Sequence, residues 1–140
     1  IPAGLSPQEA IRCLKEQGAF ISVSHPFDST RRGHWQEDDL LDILPFVDAI
    51  ETFNARCILP GMNHQAQEFA VRHGIASTVG SDAHTLFELG RATLTLPQFE
   101  GPEELRTVIR RGVAQTRRSG ILARAASRYA VLRKITSRSL

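Results

Sequence analysis

The chain has 140 residues, of which 41% are hydrophobic and 23% are charged. This length and composition suit one domain with a packed core and exclude wholesale disorder. No run of about 18 apolar residues occurs, so the sequence predicts no transmembrane segment, and no signal peptide is visible. The spacing of Cys13 and Cys57 excludes a zinc ribbon or a disulfide scaffold and predicts reduced thiols in a cytoplasmic compartment.

The net charge of +2 hides an uneven distribution along the chain. All 15 acidic residues lie within residues 1–104, together with only seven of the 17 basic residues. Residues 105–140 hold the other ten basic residues and no acidic residue. The sequence therefore predicts an acidic body followed by a basic tail.

Helices and strands are predicted to alternate along the chain. Ser6, with Pro7 after it and Glu9 three residues on, predicts a helix start, and Gly18 and Gly74 follow predicted helix ends. The predicted elements are a helix at 6–17, a strand at 19–24, a helix at 37–44, a strand at 47–53, a helix at 62–73, a strand at 75–79, a helical turn at 86–89, a strand at 92–96 and a helix at 102–111. This order predicts an α/β fold with about four mainly parallel strands.

Polar side chains follow three successive predicted strands. His25 comes just after the first strand, Glu51 lies near the end of the second, and Asp82 and His84 follow the third. The carboxyl ends of parallel strands share one rim of a sheet, so we expect these side chains to lie close together. Two imidazoles and a carboxylate suit a divalent ion such as zinc, manganese or iron.

Each of these residues also has an ordinary structural explanation. A single histidine near a strand end is commonly a satisfied polar residue, and Asp82 can be the N-cap of a following helix. Their coincidence at three strand ends favours the metal-site interpretation. His64 and His73 fit an exposed helix face, whereas His34 lies in the loop after His25 and can reach the same cleft.

The sequence resembles the C-terminal half of a PHP domain, the polymerase and histidinol phosphatase superfamily. The resemblance covers roughly residues 5–110. It rests on four segments: Ser24-His25-Pro26-Phe27, Asp48 to Arg56, Gly80-Ser81-Asp82-Ala83-His84, and Leu89-Gly90-Arg91-Ala92.

The resemblance implies a distorted (β/α)7 barrel with two or three divalent ions (zinc, manganese, iron or magnesium) at the carboxyl ends of its strands. It implies that His25, Asp82 and His84 are metal ligands. It also implies phosphoesterase activity on a small phosphorylated substrate, in which a metal-activated water attacks the ester.

The chain departs from the family pattern at its N-terminus, where the His-x-His motif and further ligands are absent. A whole barrel of this kind needs more than about 200 residues. We therefore expect residues 1–111 to form a partial barrel, the second half of a domain, with the other ligands upstream or on another chain. Residues 112–140 are expected to form a basic helical extension. Such a piece should expose a sheet edge through which it can self-associate.

Two further residues are candidates for substrate binding. Asn54 and Arg56 follow the second predicted strand, and the planar guanidinium of arginine suits phosphate. The alternative for Arg56 is an exposed loop charge. Glu51 is a candidate for orienting a ligand histidine, and the alternative is an ion pair with Arg56 or Arg91.

The basic tail carries apolar residues at spacings of three and four, which predicts an amphipathic helix. These residues are Leu122, Ala125, Tyr129, Leu132 and Ile135. Three interpretations stay open: the helix packs on the acidic body, binds an anionic membrane surface, or binds nucleic acid. One aromatic residue offers little stacking, which argues against base recognition.

Two functions are therefore predicted as alternatives. The first is a metal-dependent phosphoesterase that is incomplete, and weak or inactive, in this chain alone. The second is a non-catalytic PHP-like module that binds a partner or an anionic surface through its open sheet edge or basic tail.

Overall fold

The structure is a computed structural model that describes residues 1–31 and 33–120. The amphipathic helix predicted for residues 121–140 lies outside these residues. Within the described part of the chain, no helix combines the length and the apolar character needed to cross a membrane.

The helices predicted within residues 1–111 are confirmed with small shifts at their ends. Their bounds are α1 Pro7–Glu16, α2 Glu37–Ile43, α3 Pro60–His73 and α4 Gly101–Val108, with 3-10 turns at Leu44–Phe46, Leu86–Glu88 and Ile109–Arg111. Helix α1 begins with the predicted capping box, in which the Ser6 backbone N–H donates to Glu9 at 2.8 Å. Helix α3 ends at Gly74, whose φ of 63° is a left-handed conformation that suits glycine.

Three strands form a parallel sheet in the order β1-β2-β3. They are β1 Ser22–Val23, β2 Ala49–Asn54 and β3 Ala76–Gly80. In register, Ser22 lies beside Ala49, Ala49 beside Ala76, and Asn54 beside Gly80. This alignment brings the carboxyl ends of all three strands to one rim.

The fourth predicted strand does not join the parallel sheet, which corrects the expectation of about four mainly parallel strands. Strand β4, Ala92–Thr95, pairs antiparallel with β5, Val113–Thr116, in a separate two-stranded sheet. Strand β5 lies within residues 112–140, which are expected from the sequence to form a basic helical extension. Its four residues are all exposed, so they carry no hydrophobic alternation that predicts a strand. The described strands form an α/β structure without a closed barrel.

The main core lies between the parallel sheet and its helices. It contains Leu40, Ile43, Ile50 and Phe69, all almost fully buried. A smaller cluster on Ala49, Ala76 and Ile109 packs α4 and its following turn against the sheet. Burial on this scale stabilises the sheet, at about 1.5–3 kcal/mol for each large apolar side chain. The rim is therefore carried on a packed scaffold.

Candidate functional site

The carboxyl rim of the parallel sheet carries the predicted ligands. His25 follows the last residue of β1 by two positions, and Asp82 follows the last residue of β3 by two. These are the only non-glycine residues with positive φ among residues 1–31 and 33–120, at 36° for His25 and 48° for Asp82. A left-handed conformation costs a non-glycine residue about 1–3 kcal/mol and is typical of functional sites.

Glu51 holds the loop that carries His25. The Glu51 Oε2 atom accepts hydrogen bonds from the His25 backbone N–H at 2.7 Å and from Asn54 Nδ2 at 2.9 Å. Its Oε1 occupies the space that a Cβ on Gly80 would need. The carboxylate therefore touches all three strand ends. This contact fits the predicted orienting role and differs from the alternative of an ion pair with Arg56 or Arg91.

Asp82 and His84 lie side by side after β3. The His84 Nδ1 atom is 2.8 Å from the Asp82 carbonyl oxygen and 3.8 Å from Asp82 Oδ1. A carbonyl oxygen only accepts, so this contact makes Nδ1 the donor and leaves the lone pair on Nε2. A backbone carbonyl on one ring nitrogen is the usual support of a metal-binding imidazole. The His84 side chain is 53% exposed, so ligands can reach the ring.

Arg31 joins the His25 loop to the Asp82 loop. Its NH2 group donates to Asp82 Oδ2, and its Nε donates to Asp28 Oδ2 at 3.0 Å. Burial alone would raise the pKa of Asp28, but hydrogen bonds from Thr30 and Arg31 outweigh it and keep that pKa below its ordinary value. Burial alone would lower the pKa of Arg31, but its bonds to Asp82 and Asp28 raise it. Arg31 therefore carries a permanent positive charge at the rim.

Glu88 holds the turn that carries His84. Its Oε2 accepts from the backbone N–H groups of His84 and Thr85 and from the Thr85 hydroxyl, each at 3.0 Å. Its Oε1 lies 3.5 Å from Arg56 Nε. Burial alone would raise the pKa of Glu88, but hydrogen bonds from His84 and Thr85 and the charge of Arg56 keep it lowered. Glu88 is only 1% exposed, so it supports the turn from inside the protein.

The structure brings Asn54 and Arg56 to the rim but buries both, at 1% and 9% exposure. The Asn54 Oδ1 atom accepts from the Arg56 backbone N–H at 2.9 Å, and Asn54 also exchanges two hydrogen bonds with Asn63 on α3. Arg56 pairs with Glu88, so the alternative of an exposed loop charge does not describe it. Substrate contact by Asn54 and Arg56 stays a prediction, because the described side chains face the protein.

Sequence reasoning missed Arg31 and Glu88. A signal for Glu88 was present, because Thr85 and Glu88 have the spacing of a capping box, and the structure forms one. Arg31 lies three residues after Asp28 in a loop, and nothing in this local spacing predicts a contact with Asp82. Arg31 and Asp82 are 51 positions apart, so their contact depends on the tertiary fold.

The other histidines have separate surroundings. His64 pairs with Glu68 on the exposed face of α3 at 3.4 Å, and the His73 ring lies 4.3 Å from that of Phe69. His34 lies 3.0 Å from Gln36 within its own loop. These contacts agree with the surface interpretation of His64, and they give His34 a local partner.

The residues at the rim fit a divalent ion as part of a ligand set. Two imidazoles and one carboxylate have suitable donor chemistry, and the His84 ring presents Nε2. Within residues 1–31 and 33–120, however, no three His, Cys, Asp or Glu side chains gather closely enough to hold a metal ion. A cleft of about 410 Å³ is separate from the predicted ligands. Its lining includes Phe27, Trp35 and Phe69 and none of His25, Asp82 and His84.

The chain is similar to known proteins over much of its length. Residues 60–114 match the family model described as PHP-associated. Over 110 residues, 75% of this chain, it is 37% identical to the uncharacterized protein MJ0417 of Methanocaldococcus jannaschii, of which it covers 46%. Its fold is similar to the crystal structure of PsfC from Pseudomonas syringae PB-5123, with a TM-score of 0.61 and 19% identity across 99% of this chain and 54% of that chain. The chain therefore spans about half the length of these relatives.

Proposed function

From the premise that this chain carries the C-terminal part of a PHP domain, we propose that it supplies His25, Asp82 and His84 to the divalent-metal site of a phosphoesterase. One observation carries the proposal most directly. The two ligand loops adopt left-handed backbone at His25 and Asp82, and these positions follow β1 and β3, the two parallel strands that flank β2, at one rim. Backbone strain of this kind persists where the surrounding structure enforces it, which is typical of sites with a function.

Each residue has a distinct role in this proposal. His84 binds through Nε2, because Nδ1 is engaged by the Asp82 carbonyl oxygen. Asp82 adds a carboxylate, and His25 adds an imidazole whose loop is fixed by Glu51. A divalent ion at this rim would supply a water of lowered pKa and would neutralise charge on a phosphate ester.

The site needs partners from outside the described residues. The turn between Asp82 and Gly90 exposes Leu86 and Phe87 almost completely, at 82% and 87%. Exposed apolar side chains beside a rim are typical of a surface that another segment covers. We propose that such a segment completes both the ligand set and a distorted barrel, to which this three-stranded sheet belongs. The half-length coverage of the relatives supports this proposal.

Metal binding by this chain tests the proposal. We expect a calorimetric titration with MnCl2 to give one class of site. Its Mn²⁺ affinity should fall at least tenfold in His84→Ala or Asp82→Asn. The matched control is His64→Ala, because His64 is an exposed histidine on α3 that pairs only with Glu68 among the described residues. Equal affinity in the His84 and His64 variants would contradict the proposal.

Hydrolysis of an aryl phosphate gives a second readout. We expect the chain alone to be weak or inactive, because the ligand set is incomplete, and a longer protein with the remaining ligands to show metal-dependent turnover. In that protein, His84→Ala should remove the turnover and His64→Ala should retain it. A longer protein that binds Mn²⁺ without any turnover would favour the non-catalytic alternative.

A further inference from the structure

We propose that a divalent ion at Asp82 would displace the Arg31 guanidinium from that carboxylate. The displaced guanidinium would then bind the phosphate of the substrate, an exchange of partners by Arg31. The inference rests on the proposed function and names a residue for phosphate recognition at the same site. Its starting observation is that the Arg31 NH2 group donates to Asp82 Oδ2, an oxygen of a predicted metal ligand. A metal ion that uses this oxygen must compete with the guanidinium for it.

The other end of the guanidinium has its own anchor. Arg31 Nε donates to Asp28 Oδ2 at 3.0 Å, and the Asp28 side chain is completely buried. The opposite oxygen of Asp28 accepts from the backbone N–H and the hydroxyl of Thr30. Release from Asp82 therefore leaves Arg31 tethered at the rim by a carboxylate that is itself fixed.

The released guanidinium has donors available for an anion. Arginine has five N–H donors, and the hydrogen bonds that Arg31 makes within the described residues use its Nε and Nη2 atoms. Its side chain is 30% exposed, so ligands can reach it. A planar fork of parallel N–H groups suits phosphate oxygens. Arg56, the arginine predicted from sequence to bind phosphate, is 9% exposed and pairs with Glu88 instead.

The exchange predicts opposite effects on two ligands. A positive charge beside Asp82 opposes a divalent ion through repulsion and through occupation of the carboxylate oxygen. Removal of that charge should therefore strengthen metal binding and weaken phosphate binding. A merely structural role for Arg31 would weaken both, because the loss of structure at the rim harms each site.

The variant Arg31→Gln separates these effects. Its amide NH2 stands at about the position of Arg31 Nε, so the bond to Asp28 is retained while the charge and the reach to Asp82 are lost. A second variant, Arg31→Lys, keeps the charge and loses the fork. The matched control is Arg72→Gln, because Arg72 is an exposed arginine near the end of α3 that pairs with Glu37.

Calorimetry measures both ligands on the whole chain, with MnCl2 alone and then inorganic phosphate at saturating Mn²⁺. For Arg31→Gln we expect Mn²⁺ affinity to rise several-fold, up to about tenfold, and phosphate affinity to fall by about tenfold. For Arg31→Lys we expect phosphate affinity to fall several-fold with Mn²⁺ affinity close to that of the wild type. Arg72→Gln should change neither.

The outcomes distinguish this inference from the proposed function. A wild-type chain that takes up no Mn²⁺ refutes the proposed metal site and the exchange together. A wild-type chain that binds Mn²⁺, with Arg31→Gln unchanged or weaker for both ligands, refutes the exchange alone. Circular dichroism of Arg31→Gln and Arg31→Lys establishes that each variant is folded before its affinities are compared.

Discussion

Gly80→Ala should disturb the rim through one side chain, Glu51. A Cβ built on Gly80 would overlap Glu51 Oε1 and lie 3.0 Å from its Cδ, and the three nearest atoms beyond the chain neighbours all belong to that side chain. The carboxylate must therefore retreat. Its other oxygen holds the His25 backbone N–H at 2.7 Å and Asn54 Nδ2 at 2.9 Å, so the retreat strains or breaks these bonds.

The magnitude follows from those two contacts. A hydrogen bond to a charged group contributes about 1.5–3 kcal/mol. Alanine in a strand regains up to about 1 kcal/mol over glycine, because glycine loses more backbone freedom on folding. If one of the two bonds is lost, the free energy of unfolding should fall by about 1–2 kcal/mol. The Mn²⁺ affinity should fall as well, because the His25 loop loses its support.

Urea unfolding followed by the fluorescence of Trp35, the single tryptophan, measures this change. Gly61→Ala is the matched control, because Gly61 lies in α3 and, beyond its chain neighbours and its own helix backbone, no atom of the described residues is within 4 Å of an added Cβ. That control should leave stability unchanged or raise it by less than about 1 kcal/mol. In a Glu51→Ala background the obstacle is gone, so Gly80→Ala should then cost nothing. A Gly80→Ala variant as stable as the wild type, with unchanged Mn²⁺ affinity, would refute the reasoning.

Three further predictions concern carboxylates that are buried, as Glu88 is, or half-buried, as Glu51 and Asp48 are. Glu88→Gln places an amide against the guanidinium of Arg56, so calorimetry should show Mn²⁺ binding weakened by about tenfold. Glu51→Gln and Glu88→Gln combined should be non-additive in Mn²⁺ affinity, because the hydrogen bonds of Asn54 and the ion pair of Arg56 with Glu88 connect them; strict additivity would contradict the link. Burial alone would raise the pKa of Asp48, but hydrogen bonds from Arg106 and from the Ile21 backbone N–H keep that pKa lowered. Ionised Asp48 therefore stabilises the fold, fully above about pH 4, and this contribution is lost as the pH falls through the folded-state pKa. Urea unfolding between about pH 3 and pH 6 should show a smaller acid loss in Asp48→Asn than in the wild type.

The parallel sheet and its helices could be predicted because their signals are local. Ser6 and Glu9 mark the start of α1, and Gly74 marks the end of α3 through its left-handed backbone. The pairing of β4 could not be predicted in the same way. Strand β5 is short and fully exposed, and its partner lies about twenty residues earlier, so only the folded chain specifies the antiparallel pair.

The candidate site divides along the same line. Chain order and the alternation of strands and helices were enough to place His25, Asp82 and His84 at one rim, because parallel strands end together. The carboxylates behind that rim depend on side-chain geometry. Glu88 reaches His84 only because the 3-10 turn at Leu86–Glu88 folds back on the backbone of His84 and Thr85. Sequence spacing suggested the capping box but not its buried arginine partner.

Four polar residues, buried or half-buried, form one continuous network beneath the rim. Glu51 accepts from Asn54 Nδ2, Asn54 Oδ1 accepts from the Arg56 backbone N–H, and the Arg56 side chain reaches Glu88. The network begins at the backbone N–H of His25 and ends at that of His84. Hydrogen bonds and an ion pair linked in this way favour a single arrangement, because breaking one of them leaves a charge with less compensation. The backbones of the two histidines are thus fixed relative to each other by folding, while the His84 ring stays accessible. Folding therefore meets part of the entropic cost of bringing these two predicted metal-binding residues together, before a metal ion binds.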